Sequence, residues 1–478
     1  MKMGRKVLLL YMSQFRFSAN DPKIRTQTNE AAVRELKQYE EGPDCILALC
    51  SERVRSEKTV TLPDGTARTT LEYFRDVFLP AMQIPAEQLV VIPVPDSMDD
   101  TAQFHAISQL LGYIESGDTL SIDLSGGLRD TAMLLITAAR CMRDLRHVDT
   151  RRVIYAELLP DGKTRVHDSS ELYSLFDLIT AMDEFFSTGT ARKLKCYLRQ
   201  EGENAPALHI LLARINQFSD DLALCRVQAL GEDLARIEKA LQAAPRESQN
   251  LNGLFFNLLG DRFRTEFEGL LRSAEDTLPA LVRWCTDHGM YQQALTLLCE
   301  KMPAYVCSHL FVQPTRKGWD YMAEQKQNGG KAWVYPLFHF HFCRMALLQY
   351  EHPYTADLRL TRSKADADGN MLYGVANAGE MHTYLSRALE KEKLVIDPAV
   401  RRQIEEAGLF YQQVMQYRNQ INHANDNTYR MQSERILPLD VESIRRTLQD
   451  VADHLAEIAP MKPKAPAGVE VIPVTKKL

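Results

Sequence analysis

The sequence predicts two kinds of fold in succession, an α/β domain with a mainly parallel sheet and then a mostly helical domain. Short apolar runs alternate with helical patterns up to about residue 190. Beyond that point strand signals nearly vanish and long helical patterns take over. The 478 residues, 45% of them hydrophobic and 25% charged, suffice for about three domains, or for two of which one is large.

Five apolar runs in the first part are short enough to be strands. A continuous apolar run indicates a strand buried on both faces, and helices between such strands indicate parallel neighbours. This pattern is typical of a Rossmann-like domain. The five runs are 7–12, 45–50, 89–94, 119–124 and 153–158, and the helical patterns between them are 31–39, 71–82, 102–114 and 129–142.

Seven helical patterns follow residue 190 and predict a helical domain, which we expect to be a bundle. They cover 208–214, 222–241, 251–274, 278–299, 381–391, 400–422 and 441–458. Residues 460–478 combine three prolines with lysines and alanines, which predicts a loose tail.

Charge and cysteine usage exclude several classes of protein. The net charge of −6 excludes a protein that coats nucleic acid by bulk attraction, although a local basic site stays open. The nine cysteines form no Cys-x-x-Cys pair, which argues against disulfides and zinc ribbons and favours a cytoplasmic location.

No apolar stretch has the length of a membrane span, so we expect no membrane partner. His339 and His341 lack a clear third ligand, so we expect packed histidines and no metal site.

A glycine turn after the fourth predicted strand is the first candidate binding site. Ser125, Gly126 and Gly127 separate this strand from the helix that opens at Arg129. Close backbone approach, free amides and the helix dipole suit an anion there. The loop 13–16 should lie beside this turn, because loops at the carboxyl ends of neighbouring parallel strands converge. The alternative is a tight strand-to-helix connection that binds nothing.

The turn is not a dinucleotide fingerprint. Gly-x-Gly-x-x-Gly is absent, and the turn follows the fourth strand instead of the first. A nicotinamide-dependent enzyme is therefore disfavoured. Gly162-Lys163-Thr164 is no phosphate loop either, because position 157 is glutamate where that motif requires glycine.

Arg418 and His423 form the candidate catalytic pair at the end of a predicted helix. A guanidinium stabilises charge on a phosphorane and an imidazole moves protons near neutral pH, so the two suffice in principle for metal-free RNA cleavage. Two such helices that face each other across a two-fold axis would bring all four side chains together. A solvated helix end is the alternative. The same spacing recurs at Arg283 and His288, where the intervening Trp284 indicates a core helix.

Taken in order, these motifs resemble the CRISPR-associated CARF–HEPN ribonucleases of type III systems. Asp123, Gly127 and Arg129 match the family's Asp-x-Thr-His-Gly-Phe-Arg signature. The positions at which the family has Thr, His and Phe are Ser125, Gly126 and Leu128.

Three further segments carry the resemblance. Residues 176–189 are similar to the helix that joins sensor and effector in the family, and residues 289–298 are similar to its Gln-Ala-Leu-Thr segment. Arg418, Asn419 and His423 match the HEPN pattern of Arg, a polar residue, three residues of any kind and His. The resemblance implies a CARF domain over 1–171, a connecting helix over 172–190, a helical HEPN domain over 191–459 and a loose tail over 460–478.

The resemblance also implies a homodimer in which two CARF domains share one pocket. The pocket would bind a cyclic oligoadenylate of four or six adenylates, which acts as an allosteric activator. The residues implied in this binding are Ser13, Gln14, Phe15, Arg16, Asp123, Ser125, Gly126, Gly127, Leu128 and Arg129.

The implied activity is cleavage of single-stranded RNA at a composite dimeric site, with neither metal nor cofactor. Arg418 would stabilise the phosphorane, His423 would act as general acid or base, and Asn419 would orient the phosphate or the histidine. The products would carry a 2′,3′-cyclic phosphate. Two alternatives stay open, a non-catalytic sensor of cyclic nucleotides and a ring nuclease of the same CARF family that degrades its activator.

Overall fold

The computed structural model divides the chain into two compact units, residues 1–177 and 178–478. The structure describes residues 4–17, 25–40, 42–127, 129–159, 163–200, 206–226, 229–242, 251–271, 277–318, 320, 363–365, 371–373, 378–422 and 440–461.

A six-stranded sheet forms the centre of the first unit. In chain order its strands are β1 (Lys6–Tyr11), β2 (Cys45–Cys50), β3 (Leu89–Pro93), β4 (Thr119–Asp123), β5 (Asp149–Leu158) and β6 (Thr164–Asp168). They lie side by side in the order β3-β2-β1-β4-β5-β6, which is typical of Rossmann-like domains. Strands β1 to β5 are parallel and β6 is antiparallel to β5, so the structure has the mainly parallel sheet that the apolar runs predict.

The five predicted strands account for β1 to β5 but not for β6. This edge strand reads Thr-Arg-Val-His-Asp, and Val166 is its residue that packs against the core. An edge strand tolerates charged side chains, which discourage pairing with other chains, so its sequence lacks the apolar run of an inner strand.

Helices cover both faces of the sheet, because successive strand residues point to opposite sides. Even-numbered residues of β1 pack with α1 (Thr28–Glu40) and with the segment 70–81. Odd-numbered residues pack with α2 (Asp100–Tyr113) and α3 (Arg129–Arg146). Burial of each leucine contributes roughly 1.5–3 kcal/mol, so the nearly fully buried β1 and β2 supply much of the stability of this unit.

The helix predicted over 71–82 is interrupted by a π-helical turn. It comprises the α-helical turns Thr70–Tyr73 and Leu79–Ala81 with the π-helix Phe74–Phe78 between them. Phe74 and Phe78 are both buried and pack in the same core cluster on one face of the sheet.

An ion pair joins β1 and β4 at the amino edge of the sheet. Arg5 precedes β1 and Asp118 precedes β4, and their side chains lie 2.7 Å apart. Asp118 is buried and also accepts hydrogen bonds from the backbone N–H groups of Arg5 and Glu115, both at 3.0 Å. Although burial opposes the shift, these bonds lower the pKa of Asp118 below its usual value.

The second unit is mostly helical, as predicted. Helix α4 (Ser170–Thr188) contains the position at which the units divide, with Tyr173 in the core of the first unit and Phe185 in the core of the second. Within the described ranges, the further helices of eight or more residues are α5 (Arg192–Gln200), α6 (Pro206–Ala223), α7 (Leu230–Gln242), α8 (Leu251–Leu271), α9 (Thr277–Asp287), α10 (Tyr291–His309), α11 (Ala378–Glu390), α12 (Arg401–Asn422) and α13 (Val441–Ile458).

Aromatic side chains form the centre of the second unit. The rings of Phe218 and Trp284 meet edge to face with centroids 5.4 Å apart, and Phe267 stacks on Trp284 at 6.3 Å. Phe185 of α4 lies 5.9 Å from Phe267. Such pairs contribute about 0.5–1.5 kcal/mol each beyond their buried area, so the cluster ties α4, α6, α8 and α9 together.

No helix in the described ranges combines the length and the apolar character that a membrane span requires. The eight cysteines that the structure describes are free thiols.

Four short antiparallel strand pairs lie outside the central sheet in the described residues. They join Arg16–Phe17 to Arg25–Thr26, Val60–Thr61 to Ala67–Arg68, Gln313–Pro314 to Leu394–Val395, and Ser363–Ala365 to Met371–Tyr373.

Two buried carboxyl groups interact in the second unit, Asp221 of α6 and Asp233 of α7. Gln217 donates to Asp221 at 2.7 Å and Arg226 contacts it at 3.0 Å, whereas Asp233 has a longer contact of 3.3 Å with Arg236. Burial and the neighbouring carboxylate of Asp221 raise the pKa of Asp233 to about 6. Asp233 therefore stays protonated at mildly acidic pH and donates to Asp221.

We expect Asp233→Asn to raise the melting temperature, and to raise it more at about pH 8 than at about pH 5. The native pKa of about 6 lies above the ordinary value of 3.8, so the wild-type protein loses stability as the pH rises from the lower value through the higher one. Asparagine does not ionise and still donates to Asp221. Glu232→Gln, at the exposed neighbouring position, should leave the melting temperature unchanged. An equal gain for Asp233→Asn at both pH values would contradict this account.

Candidate functional site

The first candidate site lies at the centre of the sheet, where the strand order reverses. Strands β1 and β4 are neighbours, and Leu10 of β1 is level with Asp123 of β4, so both strands end at the same edge. The loops that follow them begin at Met12 and Leu124. In parallel α/β sheets a ligand crevice opens at such a switch point, outside the carboxyl ends of the strands.

Asn29, in the first turn of α1, joins the two loops and is fully buried. Its Oδ1 accepts from the backbone N–H of Ser13 at 2.8 Å and from the Ser13 hydroxyl at 3.1 Å. Its Nδ2 donates to the carbonyl oxygen of Tyr11 at 3.1 Å and to Asp123 Oδ2 at 2.6 Å. One amide side chain therefore connects the end of β1, the loop after it and the end of β4.

Gln27 and Thr28 extend this connection. Thr28 Oγ1 lies 2.9 Å from the Ser13 hydroxyl and donates to the carbonyl oxygen of Ser125 at 3.2 Å, which links the first loop to the glycine turn. Gln27 Nε2 donates to the carbonyl oxygen of Ser13 and to Asn29 Oδ1, both at 3.2 Å. The buried Oε1 of Gln27 has no hydrogen-bond partner in the described part of the chain.

Asp123 is fully buried beneath the glycine turn. Besides the bond from Asn29, it accepts from the backbone N–H of Ser125 at 2.9 Å and from the Ser125 hydroxyl. The same hydroxyl accepts from the backbone N–H of Ala156 in β5 at 2.7 Å. Burial raises the pKa of Asp123, and the bonds from Ser125 and Asn29 oppose this shift. The structure thus gives Asp123 a supporting position under the loop, with no surface toward the crevice.

The two glycines of the turn are required by close packing. A Cβ on residue 126 would lie 1.7 Å from the carbonyl oxygen of Tyr11 and 3.2 Å from Asn29 Nδ2, so Gly126 rests directly on the end of β1. Gly127 has a φ of +83°, which side chains rarely adopt, and a Cβ there would meet Thr131 Oγ1 at 2.3 Å. The turn is therefore a tight connection as well as a candidate anion site.

The predicted binding residues occupy different depths. Ser13 is buried, whereas Gln14 and Phe15 are half-buried; Gln14 Nε2 donates to Glu57 at 3.4 Å and Phe15 meets Tyr73 edge to face at 4.7 Å. The predicted residues that lie outside the described ones are Leu128 and the side chains of Arg16 and Arg129.

Sequence reasoning missed Gln27, Thr28 and Asn29. The signal for them was a run of polar residues at 27–30, directly before the helical pattern of 31–39. Such residues usually cap a helix at the protein surface. Nothing in the local pattern shows that the start of α1 is buried against the ends of β1 and β4.

The second candidate site lies at the end of α12. Arg418 is half-buried, and its guanidinium hydrogen-bonds to the thiol of Cys299 on α10. Burial raises the pKa of Cys299 to about 11, and the positive charge of Arg418 opposes the shift only in part. A neutral thiol therefore holds the guanidinium against α10. His423 and the side chain of Asn419 lie outside the described residues.

Amide side chains surround Arg418 in the sequence of α12. Gln292 Nε2 of α10 donates to Asn422 Oδ1 at 3.2 Å. Gln420 is buried, and neither its Oε1 nor its Nε2 has a partner within the described ranges. An unsatisfied buried polar group costs about 1–3 kcal/mol, so Gln420 has hydrogen-bonding capacity that no described residue uses.

The second Arg-x4-His pair has structural roles. Arg283 forms an exposed ion pair with Asp453 at 2.6 Å. His288 stacks on Trp284 with ring centroids 4.0 Å apart, and its Nε2 lies 3.1 Å from Glu266 Oε1. Burial opposes it, but the ion pair with Glu266 raises the pKa of His288. A buried imidazole that is already paired is a poor proton carrier for RNA, so the structure agrees with the prediction of a core helix here.

The described residues contain no group of three or more histidine, cysteine, aspartate or glutamate side chains that could hold a metal ion. His339 and His341 lie outside them.

The chain is similar to Csm6 from Enterococcus italicus bound to cyclic hexa-2′-fluoro-hexa-dAMP. The sequence identity is 13%, the alignment covers 96% of this chain and 95% of that chain, and the TM-score is 0.27. No family model matches the chain, and no curated protein matches it significantly.

Gly126→Ala is expected to lower the free energy of unfolding by about 1–3 kcal/mol, because the new methyl group would overlap the backbone oxygen of Tyr11. Urea unfolding measures the change. Gly112→Ala is the matched control, since nothing lies within 4 Å of a Cβ there and alanine is the better helix former by about 1 kcal/mol. Wild-type stability of Gly126→Ala would show that the turn does not rest on β1.

Glu266→Ala should lower the free energy of unfolding by roughly 3 kcal/mol, because it removes the ion-pair partner of the buried His288 and the acceptor of Trp284 Nε1. The raised pKa of His288 means that the ion pair stabilises the fold fully below the ordinary pKa of 6.5 and less as the pH rises through the native value. The deficit of the variant should therefore shrink as the pH rises above neutrality.

Asp453→Ala removes the exposed partner of Arg283 and serves as the control for Glu266→Ala. Its unfolding curve should match that of the wild type, since exposed ion pairs contribute little. A larger loss for Asp453→Ala than for Glu266→Ala would contradict the structural roles assigned to these pairs.

Proposed function

We propose that the protein is an endoribonuclease of type III CRISPR antiviral defence that is activated by cyclic oligoadenylate and cuts single-stranded RNA. The first unit is the CARF sensor, the second is the HEPN effector, and two copies form the working homodimer in the cytoplasm. The observation that carries the proposal is the switch point between β1 and β4. Two polar loops are joined there at the carboxyl edge of a sheet with Rossmann-like strand order.

The crevice has the chemistry that a nucleotide requires. Backbone amides at a glycine turn and at a helix start bind phosphate oxygens, and guanidinium groups add bidentate contacts. The glycine turn precedes α3, and Gln14 and Phe15 present partly exposed surface beside it. Arg16 and Arg129 supply the guanidinium groups in this proposal. Two crevices related by a two-fold axis fit a ring of even symmetry, which is a ring of four or six adenylates.

Activation follows from differential affinity. A ring that binds one arrangement of the dimer more tightly shifts the population toward that arrangement. Helix α4 begins in the core of the first unit and continues into the core of the second, so it is the segment that we assign to transmission.

Cleavage uses the RNA's own 2′-hydroxyl. Its oxygen attacks the adjacent phosphorus while His423 moves protons as general base or acid, and the bond from phosphorus to the 5′-oxygen of the next nucleotide breaks. Arg418 stabilises the charge of the phosphorane and Asn419 orients the phosphate. The 2′-hydroxyl loses its proton and the departing 5′-oxygen gains one, so the products carry a 2′,3′-cyclic phosphate and a 5′-hydroxyl. DNA lacks the attacking group and is not cut.

Support for Arg418 comes from its contrast with Arg283. Arg418 stands at the end of α12 and hydrogen-bonds to the thiol of Cys299, whereas Arg283 and His288 are committed to separate ion pairs. Of the two Arg-x4-His pairs, the one at 418 and 423 is therefore the one that we assign to catalysis.

The proposal is tested with labelled single-stranded RNA, with and without cyclic tetra-adenylate or cyclic hexa-adenylate. We expect cutting that requires one of the rings and persists in a metal chelator. Arg418→Ala and His423→Ala should each lower the rate by about a hundredfold or more, because each removes a group that acts in the transition state. Arg283→Ala is the matched control and should cut like the wild type.

Three outcomes would overturn the assignment. Cutting that persists in both Arg418→Ala and His423→Ala would place the chemistry elsewhere. Ring binding without any cutting of RNA would indicate a non-catalytic sensor, and conversion of the ring to linear products without RNA cleavage would indicate a ring nuclease.

A further inference from the structure

We infer that Asn29 and Asp123 are positioning residues for the activator site. The hydrogen bond between their side chains sets the geometry of both crevice loops, so activator affinity depends on it although neither side chain contacts the ligand. The inference rests on the proposed function, because the ligand in question is the cyclic oligoadenylate.

Asn29 uses its whole donor capacity inside the protein. Its amide has two N–H donors, and these bind the carbonyl oxygen of Tyr11 and the carboxylate of Asp123. Its oxygen accepts from Ser13 and from Gln27. The side chain has no exposed surface, so it acts on a ligand through the groups that it holds.

Asp123 is committed in the same way on the other side. Its two oxygens accept from Asn29 and from the backbone and hydroxyl of Ser125, and the residue is fully buried. The Ser125 hydroxyl is held in turn by the backbone N–H of Ala156. The start of the glycine turn is therefore fixed from β4 and from β5 together.

The two sets of contacts meet at one place. The backbone oxygen of Tyr11 accepts from Asn29 and also supports Gly126, which approaches too closely for any side chain at that position. A change in the bond between Asn29 and Asp123 must therefore move Ser13 relative to Ser125. Binding groups work only when they are held within about 0.5 Å of the productive geometry, so such a movement lowers affinity without removing a ligand contact.

The experiment exchanges the two side chains. Asn29→Asp places two carboxyl groups against each other, Asp123→Asn places two amides against each other, and the double variant N29D/D123N restores an amide facing a carboxylate. Calorimetric titration of the full chain with cyclic tetra-adenylate and cyclic hexa-adenylate measures the dissociation constant, and thermal unfolding measures stability. Each single variant should bind at least about tenfold more weakly, which corresponds to one lost hydrogen bond of about 1.4 kcal/mol. The double variant should recover the part of that loss that belongs to the bond between the two side chains, but not the bond to the Tyr11 carbonyl oxygen, because a carboxylate at position 29 has no N–H to donate.

Asp118→Asn is the matched control. It weakens the link between the same two strands at the opposite edge of the sheet, where Asp118 meets Arg5. It should lower the melting temperature and leave the dissociation constant as in the wild type. If Asn29→Asp does not fold, Asp123→Asn and the double variant supply the comparison, because Asp123→Asn adds no charge.

The outcomes separate this inference from the function on which it rests. Failure of the wild-type protein to bind either ring overturns the proposed function and this inference with it. Wild-type binding with unchanged affinity in Asp123→Asn overturns the inference alone. So does a double variant that recovers the melting temperature but not the affinity, and so does an equal loss of affinity in Asp118→Asn.

Discussion

The hydrogen bond from the amide of Asn29 to the carboxylate of Asp123 joins residues that lie 94 positions apart in the chain. It holds because both groups are buried and both have their remaining capacity filled, by Ser13 and Tyr11 on one side and by Ser125 on the other. In a medium of low dielectric constant such a satisfied network is rigid, whereas a half-satisfied one would be costly. The shape of the candidate crevice follows from this constraint.

The same sheet is held at its other edge by a different interaction. There Arg5 and Asp118 form an ion pair between the positions that precede β1 and β4. Two interactions therefore stabilise the pair of strands at the switch point. The ion pair lies at the amino edge, and the hydrogen bond from the neutral amide of Asn29 to Asp123 lies at the carboxyl edge. Placing the fully buried bond beneath the crevice leaves the partly exposed side chains of that edge, such as Gln14 and Phe15, available to a ligand.

The second unit meets the cost of buried charge in two ways. Glu266 and His288 form an ion pair, so each charge is balanced by the other. Both also contact Trp284, whose Nε1 donates to Glu266 and whose ring stacks on His288. Asp221 and Asp233 have like charges, and the pKa of Asp233 rises because one of the two must keep its proton. Arg418 hydrogen-bonds to the thiol of Cys299, whose pKa burial raises to about 11.

The local pattern was enough for most of the architecture. Apolar runs predict β1 to β5 because inner strands of a parallel sheet exclude polar residues on both faces, and helical periodicity predicts the change to a helical unit. It was not enough for β6, whose edge position lets Arg165 and His167 face outward. Nor did spacing distinguish the pair of Arg283 and His288 from that of Arg418 and His423, because an interval of five residues carries no information about packing partners.

The sequence by itself therefore determined the order of the strands along the chain, the glycine turn and the candidate arginine at the end of a helix. Only the tertiary structure decided that Asn29 is the group between the ends of β1 and β4, and that His288 pairs with Glu266. The physical reason is the distance along the chain over which each effect acts. Propensity and periodicity act over a few neighbouring residues, whereas the pairing of buried polar groups depends on which distant segments exclude water together.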